Sequence, residues 1–202
     1  MKISSVSTFR VPAIDIAAGV RVKSFLFVRL ETDGGVVGWG EAFLCDGHEE
    51  RVNQKTLALG RNLKEMSEVD PHSFRDRISG AGSPDPSDLD ASSAGSAIEI
   101  ALWDLQGKIL QRPVYDLLSA TPRKSIQLYA NTWQGETMAV PELLALCAKH
   151  VADGYRAVKI YPLKYGGAVA AGECMKAVRQ ALGDDIEVLL DLSAGDDANL
   201  AI

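Results

Sequence analysis

The chain has 202 residues, 47% hydrophobic and 24% charged, enough for one large or two small domains with a sizeable core. Its formal net charge of -6 speaks against a general nucleic-acid or anionic-membrane binder, because neither partner attracts an acidic surface without a basic stripe. A small anionic substrate stays compatible, since a local site can be positive on an acidic protein. Cys45, Cys147 and Cys174 form no close pair, which excludes a disulfide framework or a Cys-x-x-Cys metal site and fits reduced thiols. The N-terminus lacks the apolar core of a signal peptide, and no apolar run is long enough to span a bilayer. A cytoplasmic protein with no membrane or nucleic-acid partner is expected.

In chain order, Ile3, Val6, Phe9 and Val11 lie in an extended stretch ended by Pro12, and a loop is expected from Asp15 to Arg21. Ser24 to Leu30 reads as a buried strand. Thr32-Asp33-Gly34-Gly35 is a hairpin turn signal, because Asp-Gly and Gly-Gly tolerate positive φ, and Val36 to Glu41 is the return strand. Tight turns between neighbouring strands imply an antiparallel sheet. Helices are expected over Glu49 to Lys64 and Pro71 to Ile78. A Gly, Pro, Ser and Asp-rich loop follows from Gly80, with Ser92 or Ser93 capping the next helix. There Ile98, Leu102, Leu105 and Ile109 recur at spacings of four, three and four, which gives one apolar face ended near Pro113. Sheet followed by helices makes an α+β domain.

From Ser125 the pattern alternates. Strands are expected at Ile126 to Trp133, Arg156 to Tyr161 and Ile186 to Leu190, with helices from Pro141 to Val151 and from Gly167 to Leu182. Such alternation implies parallel strands with right-handed crossovers. A Rossmann-like sheet or a (β/α)8 barrel can begin this way, and the lack of Gly-x-Gly-x-x-Gly after the first strand weakens the dinucleotide reading.

Four segments carry a family resemblance. Gly38-Trp39-Gly40-Glu41-Ala42 resembles the hairpin strand of enolase-superfamily capping domains. Ala97 to Lys108, followed by Arg112-Pro113-Val114-Tyr115-Asp116-Leu117-Leu118, resembles that domain's last helix and its crossing into the barrel. Tyr155 to Pro162 and Leu189-Leu190-Asp191-Leu192-Ser193 are similar to the second and third barrel strands. The segment from Ala97 to Leu118 is most similar to the mandelate racemase and muconate lactonizing enzyme branch, and all four occur in the family's order at similar spacing. The resemblance implies an α+β capping domain over residues 1–124 and the first three units of an incomplete, truncated (β/α)8 TIM-type barrel over 125–202. A full barrel needs about 250 residues.

The implied chemistry is removal of the proton α to a carboxylate, with Mg²⁺ stabilising the enediolate. Asp191, a carboxylate at a strand's C-terminal end, is the expected metal ligand, hard oxygen suiting Mg²⁺. Many relatives have Asp-x-Asn where this chain has Asp191-Leu192-Ser193, and Ser193 is expected to orient the ligand or bind substrate. Lys159 matches the first lysine of the family's Lys-x-Lys pair and is expected to neutralise the substrate carboxylate. Tyr161 stands where many relatives have a base lysine, and a phenol of ordinary pKa near 10 is a poor base at neutral pH. Three readings stay open: a base from a later strand, Tyr161 as an acid or base beside Lys159, or a packing role. His48, Asn131 and Trp133 are the remaining candidates for substrate contact, and the loop from Ala13 to Val22 is a candidate lid.

The expected function is the N-terminal part of a Mg²⁺-dependent acid-sugar dehydratase. Its partner would be a small carboxylate and its assembly a homo-oligomer. A racemase, epimerase or cycloisomerase is the alternative within the superfamily, and a non-catalytic truncated fragment the alternative outside it. The resemblance puts two further metal carboxylates on later strands, and in the first of the three readings the base as well, so the chain alone is not expected to catalyse.

Overall fold

A computed structural model describes residues 1–17, 20–63, 66, 68–79, 85, 87–133 and 137–192. Two units are distinguished, Met1–Arg123 and Lys124–Ile202.

In the first unit the strands are β1 (Ile3–Val11), β2 (Ile14–Ala17), β3 (Val20–Val22), β4 (Phe25–Thr32) and β5 (Val37–Ala42). The helices are α1 (Glu49–Leu63), α2 (Pro71–Ser79), α3 (Leu89–Leu110) and α4 (Val114–Leu118). Alternation is strictest in β4, where Leu26, Val28, Leu30 and Thr32 are buried and the residues between them are half-buried. Strict alternation commits one face to the core. β4 is the central strand of an antiparallel sheet of order β1-β4-β5. The turn into β5 closes through the Thr32 amide donating to the Val36 carbonyl (3.0 Å), with Gly35 at φ 78°.

Leu26, Val28 and Leu30 pack with Ile98, Leu102 and Leu105 of α3, all of them inaccessible to solvent. Each such side chain contributes about 1.5–3 kcal/mol by leaving water. The helix approaches β5 very closely. A Cβ on Gly40 would overlap the Ala97 carbonyl oxygen, and one on Gly38 would overlap that of Ala101. Of the α3 residues that meet these glycines, Ala97 and Ala101 are small and fully buried. β5 is terminal in its sheet, and α3 side chains take up its backbone groups. The Trp39 amide donates to Asp104 Oδ2 (2.8 Å), and Lys108 Nζ donates to the Val37 carbonyl (2.9 Å) and to Asp104 (2.6 Å).

Two sequence expectations are corrected here. The segment expected as a loop contains the hairpin β2–β3, a pairing consistent with β-branched Ile14, Ile16, Val20 and Val22 flanking Ala18-Gly19. The long helix starts earlier than either serine. Asp88 is its N-cap and accepts from the Ala91 amide (3.0 Å), while the Ser93 hydroxyl lies inside the helix and donates to the Phe43 carbonyl.

The second unit contains β6 (Ala130–Asn131), α5 (Val140–Ala152), β7 (Ala157–Ile160), a 3-10 helix (Pro162–Tyr165), α6 (Gly167–Leu182) and β8 (Glu187–Leu190). Its sheet is parallel in the order β6-β7-β8. Val158 and Ile160 face Leu143 and Cys147 of α5 and Cys174 and Val178 of α6, forming a separate small core. Gly154 follows α5 at φ 101°, a left-handed backbone conformation in which glycine commonly ends a helix. The first strand is shorter than the expected Ile126–Trp133. Its ladder to β7 covers Ala130 and Asn131, and Ile126 and Leu128 upstream are 76% and 68% exposed, without the cross-strand contacts that extend a strand.

Two glycines should respond with opposite signs. Gly40→Ala, which forces a carbon into the α3 backbone, is expected to destabilise the first unit by at least about 1–3 kcal/mol. Gly172→Ala, inside α6 with nothing near the new carbon, is expected to gain up to about 1 kcal/mol. Thermal unfolding of both variants measures this, and an unchanged midpoint for Gly40→Ala would refute the close approach. The thiols offer a second check. Burial pushes Cys147 up to about 11 and also raises Cys174, whereas Cys45 is only half-buried. One thiol of the three should react with a disulfide reagent at pH 8 in the folded chain, and the other two only after unfolding.

Candidate functional site

The candidate residues of the second unit gather at the C-terminal ends of its strands. Alternation along β7 turns Val158 and Ile160 to the helices and Lys159 to the opposite face, in register with Asn131 on one side and Leu189 on the other. Just beyond β8 the Asp191 amide donates to the Ile160 carbonyl (2.9 Å), which extends the ladder by one step. That step brings the Asp191 carboxylate within 2.7 Å of Lys159 Nζ, with both side chains about three-quarters buried. The hydrogen bond to Asp191 raises the Lys159 pKa, against desolvation, which lowers it. Lys159 is therefore a firm cation at neutral pH.

Tyr161 follows the end of β7. Its ring lies 5.4 Å from that of Trp133 at 53°, and Lys159 Nζ sits 5.4 Å from the Tyr161 centroid. Trp133 is 41% exposed, so the core role that large aromatic rings usually take does not apply to it. Asn131 works locally, its side-chain oxygen accepting from the Trp133 amide (3.0 Å). Thr132 ties this turn to β7, its amide and hydroxyl both donating to the Lys159 carbonyl (3.1 and 2.9 Å). Sequence reasoning missed Thr132 and also Lys164, whose ammonium lies 5.5 Å from the Trp133 centroid. The available signal was Pro162, which favours a helical turn directly after the strand and so returns Lys164 toward the strand ends.

His48 belongs to the first unit, immediately before α1. Its Nδ1 lies 2.7 Å from Asp90 Oδ1, and Arg51 pairs with the other oxygen of the same carboxylate (3.0 Å). Asp90 is thus a partner the sequence reading did not single out, and it fixes the imidazole through one ring nitrogen. Ser193 lies outside the described residues, as does part of the candidate lid.

A magnesium site needs several hard oxygen donors, usually carboxylates and waters in an octahedron. Among the described residues, no three His, Cys, Asp or Glu side chains converge to hold a metal. Asp191 is one donor of the right kind at the right end of a strand, already engaged by an ammonium. The described residues therefore supply a single candidate ligand and not a site, and no chemical step can be drawn through the metal from them.

The family model for the mandelate racemase / muconate lactonizing enzyme N-terminal domain matches residues 2–119. The chain belongs to this family. Its antiparallel sheet with helices is the family's N-terminal capping domain, followed by a few parallel strands. A D-gluconate/D-galactonate dehydratase of Picrophilus torridus is 30% identical over 84% of this chain and 45% of its own length. A D-gluconate dehydratase of Thermoproteus tenax is 33% identical over 88% of this chain and 37% of its own. Among solved structures, an enolase from Sargasso Sea environmental sequencing superposes with a TM-score of 0.81 at 29% identity, over 98% of this chain and 53% of that one. An enolase-superfamily member from Polaromonas sp. JS666 gives 0.79 at 25% identity, over 100% of this chain and 54% of that one. The chain spans about half the length of the relatives it matches or less. Among the described residues no helix is long and apolar enough to cross a membrane.

Asp191→Asn removes the counter-charge of Lys159 and should return its ammonium to a lower titration point, read by side-chain NMR. A lysine raised by its partner stabilises the fold below its ordinary pKa and loses that contribution as pH rises through the raised value. An unchanged Lys159 titration in the variant would show that the pair is not formed in solution.

Proposed function

We propose that this chain forms the N-terminal half of an acid-sugar dehydratase, with the first unit as its cap and residues 125–202 as the opening units of a (β/α)8 barrel. The observation that carries the reading is the Lys159–Asp191 pair at the C-terminal ends of adjacent parallel strands. Active sites of such barrels are built at that end. The dehydratase names of the relatives support the substrate class.

In this reading Lys159 receives the substrate carboxylate, exchanging part of its contact with Asp191 for the anionic oxygens. An ammonium there lowers the energy of the enediolate that forms when the α C–H bond breaks and its proton passes to a base. Expulsion of the β-hydroxyl as water and tautomerisation then leave a 2-keto-3-deoxy sugar acid. The ring contacts of Tyr161 with Trp133 and Lys159 support a packing and wall-forming role for it, with the base on a later strand. Magnesium belongs to the same proposal, with Asp191 as the ligand this chain supplies and stabilisation of the enediolate as its chemistry. Asn131, Trp133, Ser193 and His48 are the further candidates for substrate contact in this reading. A cytoplasmic homo-oligomer is the expected form.

The test is a Mg²⁺-dependent assay for 2-keto acid, trapped with semicarbazide, over aldonic and aldaric acids, on protein whose intact mass has been measured. Lys159→Met is expected to reduce turnover by about 100-fold or more. Isomerised acids without keto acid would replace the dehydratase with a racemase or epimerase. The absence of any product from a chain of about 21.7 kDa would favour a non-catalytic fragment.

A further inference from the structure

The two edges of the first unit's antiparallel sheet are treated differently. On β5 the outer edge is closed by Asp104 and Lys108 of α3, which bond to the Trp39 amide and the Val37 carbonyl. β1 stands at the other edge and pairs with β4 on one side. Among the described residues no group outside β4 bonds to the β1 backbone. An open row of amides and carbonyls is a template for another strand, and proteins usually blunt it with proline, lysine or other charges. β1 runs for nine residues with no proline and a single charge, Arg10.

The helix above this edge carries a matching pattern. α1 lies over β1, with the Thr8 hydroxyl donating to Asn53 Oδ1 (2.7 Å) and Val6 against Gly60. Arg51 and Lys55 pair with Asp90 and Asp88, so that side of α1 faces α3. Glu50, Leu57 and Arg61, at spacings of seven and four, form a stripe on the side turned away from α3, above the free edge of β1. Glu50 and Arg61 are exposed and Leu57 is half-buried. Glu50 accepts from Gln54 (3.0 Å), and neither charge has an ion-pair partner among the described residues.

We propose that two copies of this chain join through β1, antiparallel about a two-fold axis at Ser7, with their α1 helices side by side. Ser7 is the middle residue of the strand and lies level with the part of α1 between Asn53 and Gly60. Glu50 and Arg61 stand on either side of that level. The axis therefore brings Glu50 of each copy toward Arg61 of the other, with both Leu57 side chains near the axis. Along the strands Ser7 meets Ser7, Ser5 meets Phe9, and Arg10 falls toward Ser4, so no like charges oppose. A surface that is its own complement in charge and in hydrogen bonding fits a second copy better than an unrelated strand. The exposed charge pairs select the partner, and the backbone bonds hold it. This gives the homo-oligomer expected above its contact surface and uses none of the dehydratase chemistry.

The experiment is sedimentation equilibrium of the full chain over a dilution series, for the parent, Glu50→Lys, Arg61→Glu and an equimolar mixture of the two variants. Circular dichroism of each variant confirms folding first. The parent should form a dimer. Each variant alone sets like charges at both ends of the contact and should dimerise at least about tenfold more weakly. In the mixture opposite charges meet again at both ends, and the dimer should return toward the parent's strength. A parent dimer that neither variant weakens, or a mixture no stronger than its components, overturns this surface and leaves the homo-oligomer reading standing. A parent that stays monomeric overturns both.

Discussion

The contact on which the first unit depends is that of the α3 backbone against β5. Packed layers ordinarily stand apart by the thickness of their side chains, about 10 Å. Here Gly38 and Gly40 remove the side chains on one partner, and Ala97 and Ala101 minimise them on the other. The helix then lies low enough for Asp104 and Lys108 to reach the backbone of β5. The larger Ile98, Leu102 and Leu105 share one core with Leu26, Val28 and Leu30 of β4, and Leu105 also lies against Gly38. The glycines of the strand, the alanines of the helix and the charged pair beyond them are therefore one structural device.

The second unit is held by different means. Its core is small, Val158 and Ile160 of β7 with Ala130 of β6 against two residues on each of two helices, and its sheet ends in exposed Leu189 and Leu190. What positions its candidate chemistry is register. In a parallel sheet neighbouring strands deliver residues of one row to the same side, so Asn131, Lys159 and Leu189 are aligned by the ladder. Asp191 follows Leu189 by two residues and returns to that side by alternation. The ion pair needs no long-range adjustment beyond the correct pairing of β7 with β8.

Much of this was legible in the sequence, for physical reasons that differ by element. The hairpin β4–β5 was visible because Asp33-Gly34-Gly35 can only turn, and α3 because its apolar residues repeat at helical spacing. The pairing of β2 with β3 was hidden, since four and three residues make too short a pattern to register. The cap of α3 was assigned to serines because they stand closest to the apolar run, although Asp88 lies one turn upstream, where the small alanines already belong to the buried face. In the candidate site, strand alternation placed Lys159 and resemblance placed Asp191, and neither could show that the two would touch. Lys164 was signalled only by Pro162, because a lysine past the end of a strand looks like any solvated lysine unless a turn begun by that proline returns it over Trp133.

The clasp of Asp104 and Lys108 on β5 bears on what the family's sequence signature measures. Gly38, Gly40, Asp104 and Lys108 are among the residues by which this chain resembles its relatives, and the interactions of each are with the capping domain's own backbone or its neighbours. Their contacts are made within the first unit. Ancestry is recognisable from the first unit alone, because the words that identify the lineage are written in its scaffold.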